Sequence, residues 1–141
     1  MSAEENEALF QRFVATVNAH DPRAFDEFVA ADYVEHSPDS PSGPAGLAAF
    51  LSMLLAGFPD VQATGTDVVA EEDKVAGTVR ITGTHRGSFL GYPPTGRRVT
   101  ITSVDLFRTR DGMLAEHWEV VDRRGIEAAL GDGPVPKPPR G

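Results

Sequence analysis

Alternation over Val99 to Phe107 sets Val99, Ile101, Ser103, Asp105 and Phe107 on one face of a strand, which places a carboxylate among mostly apolar neighbours. A buried carboxylate without a partner is costly, so it either holds its proton to a higher pH than usual or finds a partner, and both outcomes occur at ligand sites. The alternative is a structural Asp105, paired with an arginine or a backbone N–H at the sheet end. On the segment that follows, Ala115, His117, Glu119 and Val121 share one face, and Leu114, Glu116, Trp118, Val120 and Asp122 share the other. With the first set inward, His117 and Glu119 join Asp105 and supply the imidazole and paired carboxylates of general acid–base chemistry. With the second set inward, Trp118 is core and His117 and Glu119 are solvated surface. Periodicity leaves this choice open.

Two further histidines have similar alternatives. His85 ends a strand whose apolar face is Val75, Val79 and Ile81, so it stands either at the rim of the same cavity or as a hydrogen-bonded strand end. His36 shares a face with Val34 while Tyr33 and Glu35 alternate with them; it either looks into the pocket or bonds to the loop it opens. His20 falls at a helix terminus, with the carbonyls there as its expected partners. These histidines and acids lack the close helical spacing of a zinc hydrolase, so no metal is expected. The sequence has no Gly-rich phosphate loop and no serine nucleophile elbow. It has no cysteine, which excludes disulfides, thiolate nucleophiles and iron–sulfur clusters.

The elements that must position these groups read as helices first and strands after. Leu9, Phe10, Phe13, Val14 and Val17 recur at helical spacing within Glu4 to Ala19. Asp21-Pro22 then caps a short second helix that buries Phe25, Phe28 and Val29. Tyr33 to His36 read as extended, and the loop Ser37 to Pro44 leads into a helix with Leu47, Phe50, Leu51, Leu54, Leu55 and Phe58 on one stripe. Four strands are predicted at Val61 to Ala70, Val75 to His85, Arg98 to Thr109 and Met113 to Val121, with turns at Glu71 to Lys74 and Arg110-Asp111-Gly112. Arg86 to Arg97 is too rich in Gly and Pro for a strand interior. A last helix spans about Arg124 to Leu130, and 133–141 is a Pro-rich tail expected to be disordered. One α+β domain over 1–132 is the expected organisation.

The formal net charge is -8, with no Lys/Arg run to follow a phosphate backbone, so neither nucleic acid nor an anionic membrane is an expected partner. No signal peptide or spanning segment is recognisable, which predicts a cytoplasmic protein.

Taken in order, Gly83-Thr84-His85-Arg86-Gly87, Phe89-Leu90-Gly91-Tyr92-Pro93-Pro94-Thr95-Gly96-Arg97, Asp105-Leu106-Phe107-Arg108, Asp111-Gly112, Glu116-His117-Trp118 and Asp122 resemble the SnoaL-like polyketide cyclases, or ester cyclases, of the nuclear-transport-factor-2-like superfamily. The likeness runs from about Glu5 to Asp132 and includes Phe58-Pro59-Asp60 and Leu130-Gly131. It implies a highly curved sheet forming a cone (an α+β barrel) closed by the N-terminal helices, a homodimer paired through the sheet, and His117 and Glu119 facing inward. In such cyclases the acid–base carboxylate on the last strand is typically Asp, two residues after the His; here it is Glu119. The position of Asp105 is often His in the cyclases, whereas in related ketosteroid isomerases an Asp there, kept neutral, donates to the substrate oxyanion.

The expected activity is therefore cofactor-independent, aldol-type ring closure of a polyketide-like carbonyl compound in an apolar pocket. Glu119 acts as base, with neutral Asp105 or His117 bonding the enolate oxygen. Substrate contacts are assigned to His36, His85, Phe107, Leu54, Phe58 and Tyr92. The rival readings are an isomerase, hydratase or epoxide hydrolase acting on a terpenoid or steroid-like ligand, and a protein that only binds such a ligand.

Overall fold

The computed structural model describes residues 2–37 and 40–131, so the expected tail 133–141, together with Asp132, lies outside the described residues. Helix α1 (Ala3–Ala19) starts from a reciprocal cap in which the Ser2 hydroxyl accepts the Glu5 N–H at 3.1 Å and the Glu5 carboxylate accepts the Ser2 N–H at 3.4 Å. Its predicted apolar stripe is buried, and it ends on His20 in the left-handed conformation (φ 57°). That turn swings the imidazole off the helix axis, so Nε2 donates to the Val61 carbonyl at 2.7 Å.

The second helix is a 3-10 turn over Pro22–Glu27, capped by the Asp21 side chain. Val29, expected within it, instead opens β1 (Val29–Glu35), which is longer than the predicted Tyr33–His36 and stops before His36. Ala30, Ala31 and Asp32 are weak strand formers. They are extended because β1 runs parallel to the last strand, with Val34 opposite Glu116 and Glu35 opposite His117. The other elements follow the prediction closely: α2 (Pro44–Gly57), β2 (Gln62–Glu71), β3 (Lys74–Thr84), β4 (Arg98–Arg110), β5 (Met113–Val121) and α3 (Arg123–Leu130).

The five strands form one curved sheet in the order β1-β5-β4-β3-β2, antiparallel except for the β1–β5 pair. Helix α1 packs on β2 and β3, α2 on the 3-10 turn and β1, and α3 on β4. The core fills the space between the helices and one face of the sheet, with Phe13 against Phe107 at 5.2 Å between ring centroids. Gly77 on β3 lets α1 approach: a Cβ there would lie 2.8 Å from the Phe10 ring. Gly87 does the same for the loop after β3, since its Cβ would meet the Ala56 carbonyl oxygen at 1.9 Å. The Arg86 and Gly87 N–H groups both donate to the Gly57 carbonyl, which ties this loop to the end of α2 beside the cleft described next.

Candidate active site

A β-bulge decides which face of β5 looks inward. From the turn, Arg110 pairs with Met113 and Thr109 with Leu114, but Arg108 pairs with Glu116, so Ala115 is an extra residue on β5. Beyond the bulge Phe107 stands opposite His117, Asp105 opposite Glu119 and Ser103 opposite Val121. Directly paired residues point to the same face. The inward face of β4, with Asp105 at its centre, therefore receives His117 and Glu119, and Trp118 turns outward.

His117 is held between two carboxylates. Its Nδ1 donates to both oxygens of Glu35 at 2.9 and 3.0 Å, and its Nε2 donates to Asp105 Oδ1 at 2.8 Å. The side chains of His117, Glu35 and Asp105 are 4, 2 and 3% exposed, so the three charges meet with little solvent between them. The Tyr33 hydroxyl donates to Glu35 Oε1 at 2.8 Å, the Ser37 N–H donates to Glu35 Oε2 at 3.1 Å, and the Ser103 hydroxyl donates to Asp105 Oδ2 at 2.7 Å. Phe107 stacks on the imidazole with centroids 4.3 Å apart and planes at 14°.

This packing sets the protonation states. Burial alone would lower the His117 pKa, but the hydrogen bonds and charges of Asp105 and Glu35 outweigh it and push the value up to about 9. Burial would raise Glu35, yet the bonds from His117 and Tyr33 hold it below the usual carboxylate value. For Tyr33, burial and then the Glu35 charge keep the phenol protonated well beyond its ordinary range.

Glu119 differs from both of the carboxylates that grip the imidazole. Burial first, then repulsion from Asp105, push its pKa up to about 7, against the lowering effect of His117. At neutral pH it is the group of this cluster that is poised to exchange a proton.

Glu119 and Ser103 line a cleft whose other walls are mainly apolar, including Phe50, Met53, Leu54, Ile81 and Ile101. The enclosed volume is about 80 Å³, and about 640 Å³ with the space open at its mouth counted. Met53 and Leu90 are the exposed apolar side chains at its rim.

Of the residues assigned from sequence, Asp105, His117, Glu119 and Phe107 converge as one cluster, and Leu54 lines the cleft. Asp105 accepts from both Ser103 and His117, in place of the expected neutral donor, and both imidazole N–H groups are spent on carboxylates. His36 is on the outer face: it stacks on Trp118 at 4.7 Å, and its Nε2 bonds to Glu116 at 2.6 Å. The reading in which His36 looks into the pocket is corrected, because Tyr33 and Glu35 occupy the inward alternation of β1.

His85, fully buried, is not among the residues lining the cleft; Nδ1 accepts the Thr95 N–H at 3.2 Å and so holds the return of the loop. Phe58 packs on His85 and Phe89 beneath the cleft. Tyr92 belongs to a neighbouring depression with Leu90, Arg123, Ile126 and Glu127. Sequence reading missed Glu35; the available signal was its alternation with His36, with only one of the two able to face the cavity.

Ligand atoms of Asp105, His117 and Glu119 lie within 4.8 Å of one another, close enough to hold a metal ion. The donor set does not suit one: His117 is held as an imidazolium with both nitrogens donating, and a metal ligand must be the neutral ring.

A curved mixed sheet enclosing an acid–base cluster at the edge of an apolar cleft defines a small α+β protein with a site for an apolar small molecule. Residues 8–130 match the SnoaL-like polyketide cyclase family, and the chain belongs to it. It is 30% identical over 137 residues to the aklanonic acid methyl ester cyclase DnrD of Streptomyces peucetius, covering 92% of each chain. It is 32% identical over 114 residues to the nogalonic acid methyl ester cyclase of Streptomyces nogalater, covering 76% of this chain and 83% of that one. Among solved structures, TsrD from Streptomyces laurentii superposes with a TM-score of 0.86 at 30% identity, covering 93% of this chain and 98% of that one.

Proposed function

We propose that this protein closes a ring in a polyketide methyl ester by intramolecular aldol addition, using its own side chains as the acid and base. The observation that carries this reading is Glu119, a carboxylate with its pKa at about 7 on the wall of an apolar cleft. Ionised Glu119 takes a proton from a carbon beside a carbonyl, and the enolate carbon attacks a second carbonyl of the same molecule. One carbon–carbon bond forms, and the new alkoxide recovers a proton from the Glu119 carboxylic acid, so the product is an isomer of the substrate. The His117 imidazolium, fixed by Glu35 and Asp105, stabilises the developing negative charge through space rather than by a direct hydrogen bond.

Incubation of the purified protein, without added metal or cofactor, with a panel of aromatic polyketide methyl esters should yield a product of unchanged mass with one more ring by NMR. An isomer with the same ring count would favour the isomerase reading, and a ligand that stays bound without turnover would favour a binding protein.

The proposal includes one domain over 1–132, a cytoplasmic location to be checked by cell fractionation, and a homodimer. Among the described residues, no helix is long and apolar enough to cross a membrane. On the outer face of the sheet Val104 and Val120 are cross-strand partners, 52 and 75% exposed, beside the row Val69, Ala76, Leu106 and Trp118. Among the described residues no helix covers them, and a second copy would bury them. Sedimentation at micromolar concentration should give a dimer, and a monomer after Val120→Lys; a wild-type monomer would refute the pairing.

A further inference from the structure

Ser103 interrupts an apolar stretch of the inward face of β4. Its cross-strand partners are Val79 on β3 and Val121 on β5, and Ile101 precedes it on the same face, so packing alone would suit an apolar side chain there. Ile81, Ile101, Ser103, Glu119 and Val121 are the sheet residues that line the cleft, and of these Ser103 and Glu119 are the polar ones. Ser103 is 8% exposed, which leaves it within reach of a ligand in the cleft.

The direction of its one hydrogen bond fixes what Ser103 can offer. A hydroxyl has one proton to give and two lone pairs that accept. The Asp105 carboxylate, which already accepts the His117 N–H, takes the Ser103 proton on Oδ2 at 2.7 Å. Among the described residues nothing donates to Ser103 Oγ in return. The oxygen is therefore an acceptor with no proton left to give, and donating to a carboxylate polarises it toward accepting. Its place relative to the base is also fixed. Asp105 pairs with Glu119, so Ser103, two residues earlier on β4, is the diagonal neighbour of Glu119 on the same face. Diagonal neighbours lie about 7–8 Å apart, a span that one planar ring system can bridge.

Resting on the acid–base reading given above, we propose that Ser103 accepts a hydrogen bond from a hydroxyl group on the ring system of the substrate, and so selects hydroxylated substrates and sets their register against Glu119. A carbonyl or ether oxygen at that position would bring two acceptors face to face, and a bare ring edge would displace water from Oγ and leave it unbonded. Both are disfavoured, and the site discriminates because its own polar atom is left without a partner.

The test is binding, so it does not depend on turnover. Dissociation constants are measured for 2-naphthol, 2-methoxynaphthalene and naphthalene with wild type, Ser103→Ala and Glu119→Gln, at a mildly acidic pH where 2-naphthol keeps its proton. Wild type should bind 2-naphthol roughly three- to tenfold more tightly than its methyl ether, the yield of one hydrogen bond. In Ser103→Ala that ratio should fall close to one while naphthalene binds as well as before or better, and in Glu119→Gln the ratio should persist. If Ser103 did no more than brace Asp105, its loss would change the three affinities alike and leave the ratio intact, which overturns the proposal. A wild type that binds 2-naphthol no better than the ether, or not at all, also overturns it. So does a ratio lost in Glu119→Gln but kept in Ser103→Ala, which would put the hydroxyl on the base itself. Ring closure that survives in Glu119→Gln, with the ratio still dependent on Ser103, would sink the acid–base reading and leave this one standing, so failure of the two can be told apart.

Discussion

Glu119→Gln lowers turnover of a cyclisable substrate by about 100-fold or more, the usual contribution of a positioned acid–base group, and raises thermal stability at pH 8. The two effects have one cause. In the folded protein, burial and the Asp105 charge raise the Glu119 pKa from an ordinary 4.5 to about 7. A carboxylate whose folded pKa is raised contributes stability that is fully present below about 4.5 and is lost as pH rises through 7. At pH 8 the wild type therefore holds an ionised Glu119 at a cost on the order of 3 kcal/mol, which glutamine does not incur. Activity that falls while the melting temperature rises would exclude damage to the fold as the reason. In wild type, kcat/KM should decline below pH 7 as the base is protonated and decline again above about 9 as the imidazolium is lost. The two limbs belong to the coupled cluster rather than to single residues. A variant that keeps wild-type kcat, or an acid limb unchanged by the substitution, would remove Glu119 from the mechanism.

The sequence patterns carried most of the fold because each of the later elements has its own periodicity. The stripe in α1, the stripe in α2 and the alternation of β4 all survive into the structure as buried faces. What the residues alone left open was the orientation of β5, and the reason is one residue. Counting back from the turn with Arg110 opposite Met113 sets Asp105 against Trp118, which would send His117 and Glu119 to solvent. The bulge at Ala115 adds one residue and reverses every side chain beyond it. The inward face of His117 and Glu119 was implied by the family resemblance; the alternation alone does not reveal it.

β1 was obscured differently. Its N-terminal half is Val-Ala-Ala-Asp, which has no strand signature, and its pairing partner lies at the far end of the chain. Glu35 was visible as a residue but not as a member of the site until the parallel register set it opposite His117. The outward turn of His36 follows from the same register, since adjacent residues cannot both face the cavity.

His117→Leu should cost about 3–5 kcal/mol at pH 7.5, the range for removing one partner of a buried ion pair, and should invert the pH dependence of stability at the acid end. His117 has its folded pKa raised from 6.5 to about 9, so its contribution is fully present below about 6.5 and disappears as pH rises through 9. Glu35 runs the other way: its folded pKa is depressed, so its contribution is present above about 4.5 and is lost as pH falls through the lower folded value. Together with Glu119, whose contribution declines above about 4.5, these give a wild type most stable at about pH 4.5, falling on both sides. With the imidazolium gone, Glu35 and Glu119 lose the cation that favours their ionised forms, and each gains by taking up a proton. Melting curves of the variant from pH 4 to 9 should then rise continuously toward pH 4, where wild type has already begun to decline. If His117→Leu is too unstable to purify, His117→Gln, which keeps hydrogen bonding but not the charge, should show the same acid shift with a smaller loss. A variant within about 2 °C of wild type at pH 7.5, with its optimum unmoved, would mean that the imidazole is neutral in the folded protein and that the carboxylates do not grip a charge.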